Sequence, residues 1–361
     1  MSGRVYLDWN ATAPLRPEAR AAMAGAMDVV GNPSSVHAEG RAARGLVERA
    51  RATVAEAVGC APAEVVFTSG ATEAASVLSR MPAQHDVLVD GTAHDALWAH
   101  ARIAASIERP RGPGHTLAMG LANSETGIVT APPERVEGQW PFGREARADR
   151  LLLDVTQGVG RIPFSFAWLG ADFAVLSAHK FGGPKGVGAL IVRDGLDMRA
   201  LLQGGGQEMG RRSGTENIIG IAGMAAAAEA ALRDLAEGVW DRVAELRNIL
   251  EKTIADFSPE TIFVGKGLSR LPNTSLMVTP GWKGETQVMA MDLAGFAVSA
   301  GSACSSGKVR ENRVLAAMGY APEESAGALR VSLGPTTTED EVLRFAEAWT
   351  AQRAKRRARA A

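Results

Sequence analysis

Six short runs of consecutive apolar residues constrain the fold of this chain more than any other feature of its sequence. The runs are rich in Val, Ile and Leu, and longer segments rich in Ala, Arg and Glu separate them. Strands that are apolar on both faces are typical of a parallel sheet covered by helices on both sides. The predicted strands are Glu64–Thr68, Asp86–Asp90, His115–Met119, Leu151–Val155, Asp172–Leu176 and Val187–Val192. The sequence therefore predicts an α/β fold with a mostly parallel sheet.

The helical pattern is clearest at Ala38–Val58, which Gly59 is expected to end. After about residue 220 the pattern of apolar and Ala-rich segments changes and predicts a smaller α+β domain. We expect one long helix over Ile221–Phe257 and a final helix opened by the capping-box spacing of Thr338 and Glu341. The other predicted elements are strands at Thr261–Val264, Asn273–Val278, Phe296–Ser299 and Ala328–Leu333, and a helix at Thr286–Leu293. The expected domains are 16–235 (large, α/β) and 1–15 plus 236–361 (small, α+β).

Charge and composition exclude several classes of protein. The 361 residues carry 39 Lys and Arg against 40 Asp and Glu, so no basic field attracts nucleic acid or an anionic membrane. No stretch supplies the ~20 strongly apolar residues of a membrane span, and residues 1–10 do not resemble a secretory signal. Two cysteines cannot form a disulfide framework and fit a reducing compartment. We expect a cytoplasmic protein without nucleic-acid or membrane partners, and we predict no metal site.

Chemically active residues follow two of the predicted strands. Lys180 lies in SAHKFGGPKGVG (177–188), directly after an apolar strand, where α/β proteins bind ligands. Desolvation there would favour a neutral amine that can form a Schiff base. Asp154 ends the strand before it and could pair with a pyridinium nitrogen, while Gln157 could reach a phenolic oxygen. The alternatives are a surface loop lysine and an aspartate that caps the next turn.

Three further positions extend this pattern. The segment FTSGATE (67–73) reads as strand, turn and helix start, which predicts a site for a single phosphate rather than for NAD or ATP. His94 follows another strand and could stack on a planar cofactor, although capping is its commoner role. Arg330 lies inside a strand-like run, where it needs an anion; a substrate carboxylate and an internal ion pair are both open.

The two cysteines have different sequence contexts. Cys304 lies in SAGSACSSG (299–307), where small residues surround it, so we expect an accessible thiol. Cys60 follows Gly59 between a helix and a strand, so we expect it to pack as a bystander.

Together, these motifs resemble the cysteine desulfurases of the iron–sulfur-cluster and nitrogen-fixation type, within the class V aminotransferase family that depends on pyridoxal 5'-phosphate (PLP). They occur in the same order and span most of the chain. The matching segments are YLDWNATAP (6–14), GNPSSVHAEGR (31–41), FTSGATE (67–73), DVTQGVG (154–160), SAHKFGGPKGVGAL (177–190), GGGQEMGRRSGTEN (204–217), LPNTSLMV (271–278), SAGSACSSG (299–307) and LRVSLG (329–334). The resemblance implies a PLP-dependent transferase of fold type I.

The resemblance also implies roles for individual residues. Lys180 would hold PLP covalently, and His94 would stack on its ring. The remaining cofactor contacts would come from Asp154 at the pyridine nitrogen, Gln157 at the phenolic oxygen, and Ala71, Thr72, Ser177, His179 and Thr215 at the phosphate, with Asn123 also among the cofactor-binding residues. Because Thr215 would reach in from a second subunit, the resemblance implies a homodimer.

The implied reaction converts L-cysteine to L-alanine. Arg330 and Asn123 would bind the substrate carboxylate, Lys180 would move the proton of the α-carbon, and Cys304 would take the sulfur as a persulfide. A sulfur-acceptor or iron–sulfur scaffold protein would then receive it.

The sequence departs from the family pattern at three places. Ala74, Ala75 and Ser76 replace the usual Ser and Asn residues, Ser124 replaces an Asn, and the segment 80–122 is shorter than expected. A selenocysteine lyase, another class V transferase and a catalytically idle PLP-binding scaffold therefore stay open as alternatives.

Overall fold

The computed structural model describes residues 3–82, 85–102, 114–301 and 312–360, with side chains to residue 358. The chain divides into two compact units, which are considered separately. The larger unit consists of residues 14–122 and 130–235, and the smaller unit of residues 1–13, 123–129 and 236–361.

Fourteen strands and eleven α-helices are formed in the described part of the chain. The strands are β1 Val5–Tyr6, β2 Val65–Thr68, β3 Asp86–Val89, β4 His115–Gly120, β5 Trp140–Phe142, β6 Ala146–Ala148, β7 Arg150–Asp154, β8 Phe173–Ser177, β9 Gly188–Val192, β10 Ile262–Phe263, β11 Thr274–Val278, β12 Phe296–Ala297, β13 Ser299–Ala300 and β14 Ala328–Ser332. The helices are α1 Pro17–Met27, α2 Ala38–Val58, α3 Ala71–Ala75, α4 Asp95–Trp98, α5 Phe166–Leu169, α6 Ile218–Ala236, α7 Val239–Phe257, α8 Gly284–Leu293, α9 Arg313–Ala317, α10 Pro322–Ser325 and α11 Glu339–Ala360. Short 3-10 helices cover Pro62–Glu64, Ser76–Arg80, Ala178–Lys180 and Glu208–Gly210.

A six-stranded sheet in the order β2-β9-β8-β7-β4-β3 forms the centre of the larger unit. Neighbouring strands from β8 to β3 are parallel, whereas β9 is antiparallel to both β8 and β2. Only residues 178–187 connect β8 to β9, which is too short for the helical crossover that a parallel neighbour requires. The predicted mostly parallel α/β sheet is confirmed, and each of its six predicted strands lies within one residue of its observed bounds.

Helix α2 spans the residues that the sequence predicts. His37 caps its first turn, and Gly59 ends it in the left-handed conformation at φ 66°. Between β3 and β4, where the sequence is shorter than the family pattern, the described residues contain the four-residue helix α4. None of the helices in the described ranges is long and apolar enough to cross a membrane.

The smaller unit contains the antiparallel sheet β10-β11-β14-β13 and the parallel pair β1-β12. Residues 123–129 belong to this unit because their backbone pairs within it: Val129 N–H donates to Ser269 O, and Leu271 N–H donates to Gly127 O at 2.7 Å. The sequence analysis assigned this segment to the large domain, since nothing local shows where it pairs.

Two sequence predictions for the second half of the chain are wrong. The long helix over Ile221–Phe257 is two helices, α6 and α7, because the chain turns at Gly238, which has φ 71°. The single strand over Phe296–Ser299 is also two strands: β12 pairs with β1, and β13 pairs with β14. The capping box at the start of α11 is present, with reciprocal hydrogen bonds between Thr338 and Glu341.

A buried ion pair joins helix α2 to the edge strand β2. The side chains of Arg51 and Glu208 are 6% and 2% exposed, and their two hydrogen bonds measure 2.8 and 2.9 Å. Glu208 also accepts a hydrogen bond from the backbone N–H of Phe67 at 2.8 Å. One carboxylate therefore satisfies both a buried cation and an amide at the sheet edge.

We expect Glu208→Ala to lower the free energy of unfolding by about 3–5 kcal/mol, because it leaves Arg51 without its buried charge partner and with only the exposed Glu48 at 3.3 Å. Urea denaturation measures the change. Asp256→Ala is the control, since it removes a carboxylate from an exposed pair with Lys252. Equal destabilisation by the two substitutions would contradict the importance assigned to the buried pair.

Candidate active site

The carboxyl ends of five strands meet at one edge of the central sheet. Strands β2, β3, β4, β7 and β8 run in the same direction, and the antiparallel β9 begins at this edge. Thr68 at the end of β2 and Ser177 at the end of β8 both have Gly188 as their register partner. Asp154, the last residue of β7, pairs with Val175. Hydroxyl and carboxylate side chains are therefore aligned where open α/β sheets bind ligands.

The turn before α3 has the geometry of an anion site. A Cβ atom on Gly188 would lie 2.6 Å from the Cα of Gly70, so the turn passes directly over the start of β9. A Cβ on Gly70 would lie 3.5 Å from the Ser177 hydroxyl oxygen. The first turn of a helix leaves its N–H groups without intrahelical acceptors, and here they belong to Ala71 and Thr72. These donors lie beside the Ser177 hydroxyl and fit a single phosphate group.

Two arginines hold the backbone that carries Lys180. Lys180 ends the 3-10 helix after β8 and is half-buried. The carbonyl of Lys180 accepts a hydrogen bond of 2.7 Å from Arg161, and the carbonyl of Phe181 accepts one of 2.9 Å from Arg16. Arg16 is itself paired with Asp234 at 2.6 Å. The backbone that directly follows the Cα of Lys180 is therefore fixed at two successive carbonyls.

Arg161 also fixes the orientation of the Gln157 amide. Arg161 is 3% exposed and donates to Oε1 of Gln157 at 2.5 Å. A guanidinium group has donors only, so the amide oxygen must face it and the amide nitrogen must point elsewhere. Asp154, three residues earlier, accepts a hydrogen bond from Thr156 N–H through Oδ1, so it does cap the following turn.

Two histidines of this edge have defined protonation. Nδ1 of His94 accepts a hydrogen bond from Ala96 N–H at the start of α4, so Nε2 carries the proton of the neutral ring. Burial, together with smaller effects of the charges of Lys180 and Lys185, lowers the pKa of His179 to about 4. His179 is therefore neutral near pH 7.

The predicted substrate-binding residues lie in the smaller unit. Arg330 is buried on β14 and donates to Asp8 at 2.7 Å and to the carbonyl of Ser124 at 3.1 Å. The internal ion pair that the sequence left open is thus present. Asn123 accepts hydrogen bonds through Oδ1 from the backbone of Glu125 and Thr126, which fixes the turn it begins.

Three remaining predictions concern Thr215 and the two cysteines. Thr215 is exposed. Cys304 lies outside the described residues, so its role stays a prediction. Cys60 packs against the core of the larger unit, and burial, with a smaller effect of Glu64, raises the pKa of its thiol to about 12. Cys60 is therefore a protonated, unreactive thiol at neutral pH.

The comparison with known proteins decides the family. The profile of the aminotransferase class-V family matches residues 5–105 and 118–345. The chain belongs to this family. It is 38% identical over 376 residues to a cysteine desulfurase of Cereibacter sphaeroides, covering 95% of this chain and 94% of that protein. It is 32% identical over 371 residues to the cysteine desulfurase IscS of Dictyoglomus turgidum, covering 95% and 92%.

Solved structures agree with the family assignment. An X-ray structure of a NifS-like protein from Rickettsia africae has a TM-score of 0.83 and 28% identity, covering 96% of this chain and 99% of that one. Class V enzymes depend on PLP, and the edge of the central sheet fits this cofactor. It offers an amine, a carboxylate, an amide donor and an anion-binding turn. Lys180 supplies the amine, Asp154 the carboxylate and Gln157 the amide. Ala71, Thr72 and Ser177 supply the donors of the candidate anion site.

The sequence analysis missed Arg161 and Arg16. Both act on the site through neighbours in the fold, and neither belongs to a strand-end motif that a sequence pattern signals. An Arg four residues after Gln157, in a Gly-rich segment, was the available hint.

We expect Arg161→Met to raise the Kd for PLP roughly tenfold or more, because Gln157 and the Lys180 carbonyl both lose a charged donor. The Kd is measured by titrating the apoprotein and following cofactor absorbance. Arg161→Lys should recover part of the affinity, since it keeps the charge but not the fork geometry.

Arg135→Met is the control for this prediction, because Arg135 is exposed and donates to the carbonyl of Gly170. An unchanged Kd in a folded Arg161→Met protein would contradict the positioning role of Arg161.

Proposed function

We propose that this chain is a cysteine desulfurase that converts L-cysteine to L-alanine and transfers the sulfur to Cys304. The observation that carries the proposal is the alignment of Lys180, Asp154 and the anion-binding turn at one sheet edge, in a chain whose relatives over nearly its full length are cysteine desulfurases. These relatives give no support to a selenocysteine lyase, to another class V transferase or to an idle scaffold.

The residues of the larger unit hold the cofactor. When bound, PLP supplies the electron sink that makes the α-carbon proton of the substrate acidic. Asp154 would stabilise a protonated pyridine nitrogen, and the Gln157 amide nitrogen would donate to the phenolic oxygen, because Arg161 occupies Oε1. The Ala71 and Thr72 amides and the Ser177 hydroxyl would hold the phosphate, and His179 would bind it as a neutral ring.

Proton transfer is the task of Lys180. Its Nζ atom would take the proton from the substrate α-carbon, and the fixed carbonyls of Lys180 and Phe181 limit the positions that this atom can reach. His94 stacks on the cofactor ring with its proton on Nε2.

Residues of the smaller unit act on the substrate. Arg330 and Asn123 bind the α-carboxylate. The Cys304 thiolate would attack the substrate sulfur while the bond between Cβ and sulfur breaks. The electron pair left on Cβ takes up a proton, and Lys180 returns a proton to the α-carbon, which gives L-alanine. The sulfur remains on Cys304 as a persulfide until an acceptor thiol takes it.

The proposal also covers the oligomeric state, the sulfur acceptor and the cellular location. We infer a homodimer in which the exposed Thr215 completes the phosphate site of the partner subunit. The acceptor is a sulfur-carrier or iron–sulfur scaffold protein. The near balance of basic and acidic residues fits an enzyme without nucleic-acid partners, and we place this enzyme in the cytoplasm.

The first prediction concerns the two cysteines. The wild-type protein loaded with PLP should form L-alanine and sulfide in equal amounts from L-cysteine and a reductant, and Cys304→Ala should lose at least about two orders of magnitude in rate. Cys60→Ala is the matched control and should keep wild-type turnover, because burial holds its thiol protonated. Full turnover by Cys304→Ala would contradict the persulfide mechanism.

The second prediction concerns Lys180. Borohydride should bleach the visible absorbance of the wild-type protein and attach the cofactor to the chain, because Lys180 forms the Schiff base. Lys180→Ala should stay unlabelled, whereas Lys185→Ala, five residues away in an exposed turn, should be labelled like wild type. Mass spectrometry of the digested protein locates the label.

A further inference from the structure

Arg330 carries an unused donor in a buried position. Its side chain is 7% exposed on the central strand β14 of the smaller unit's antiparallel sheet. The two terminal nitrogens donate to Asp8 Oδ1 at 2.7 Å and to Ser124 O at 3.1 Å. The third nitrogen, Nε, is buried and has no hydrogen-bond partner in the described part of the chain. A buried N–H without an acceptor is costly, so this donor indicates a ligand.

The backbone fixes Asp8 beside Arg330. Asp8 forms a parallel bridge with Ser332, two residues from Arg330 on the same strand, and Trp9 N–H donates to Ser332 O. Side chains two residues apart on a strand lie on the same face, so Asp8 meets the guanidinium through this pairing. The Ser299 hydroxyl donates to the other carboxylate oxygen of Asp8 at 2.8 Å. Asp8 is therefore held on two sides.

This arrangement has two opposite effects on an incoming anion. The carboxylate of Asp8 orients the guanidinium, which lowers the entropy cost of binding a ligand at Nε. Its negative charge also offsets the charge of Arg330 and repels a second carboxylate. An arginine without such a neighbour would bind carboxylates more tightly and hold the product longer.

We propose that Asp8 is a positioning residue that sets the affinity of Arg330 for the α-carboxylate of the amino acid. The proposal rests on the proposed function, in which Arg330 binds this carboxylate. Asp8 keeps the Nε–H of Arg330 aimed at the ligand and weakens the binding, so that L-alanine leaves after each turnover.

Two substitutions separate the orienting effect from the charge effect. Asp8→Asn keeps an oxygen that accepts from Arg330 and removes the charge, so the Kd for L-alanine should fall roughly fivefold. Asp8→Ala removes both, so Arg330 loses its orientation and the Kd should not fall below the wild-type value. The Kd is read from the absorbance change of the PLP-loaded protein, without any sulfur chemistry.

L-alaninamide and Asp292→Asn serve as controls. The amide lacks the negative charge, so Asp8→Asn should change its Kd less than about twofold. Asp292→Asn removes one negative charge of the same unit at an exposed pair with Arg4, and its Kd for L-alanine should equal that of wild type.

A rise in the L-alanine Kd of Asp8→Asn, or an equal shift for L-alanine and L-alaninamide, would overturn the proposal. In steady state with L-cysteine, Asp8→Asn should lower KM. Any rise in kcat/KM should come from this lower KM and not from a higher kcat. Failure of the wild-type protein to form L-alanine from L-cysteine contradicts the desulfurase activity only, because the product Kd values report on Asp8 and Arg330 independently.

Discussion

Hydrogen bonding between parallel strands is the constraint on which the site depends. The register of β4, β7 and β8 puts Gly120, Asp154 and Val175 side by side, so the residues that follow these strands emerge at one edge. Strand β9 returns antiparallel after a ten-residue connection, and that connection contains Lys180. The reversal of β9 therefore keeps the connection that contains Lys180 at the sheet edge, where Gly188 lies against the turn that precedes α3. A helical crossover would have carried this segment onto a face of the sheet.

The strands and most of the site could be predicted from the sequence because their signals are local. Continuous apolar runs predicted β2 to β4 and β7 to β9, and the ends of two of these strands predicted the candidate site residues Asp154 and Lys180. The hairpin β5–β6 and the break at Gly238 were not predicted, since short strands and a single glycine in an Ala-rich segment give weak patterns. Asp8 lies 322 residues from Arg330, and Arg161 contacts the carbonyl of Lys180. Such partners depend on the tertiary fold, which local spacing does not encode.

Buried arginines organise the chemistry of both units. In the larger unit, Arg16 and Arg161 donate to backbone carbonyls beside Lys180, so they position the backbone there. In the smaller unit, Arg330 shares its donors between Asp8, a carbonyl and the proposed ligand. A carboxylate accompanies an arginine in each unit, because Arg16 pairs with Asp234 and Arg330 pairs with Asp8. Arg330 differs in its buried Nε–H, which has no acceptor in the described part of the chain and is the donor that we assign to a ligand.

The path of the chain also orders the events of synthesis. Strand β1 near the amino terminus pairs with β12, so residues 5 and 6 can form this pairing only after about residue 297 has left the ribosome. Residues 14–122 and 130–235 are complete much earlier and can assemble the central sheet while translation continues. During that interval the amino-terminal segment, which contains Asp8, has no sheet partner. A nascent chain of this protein can therefore complete its larger unit first and the pairing of its amino-terminal segment last.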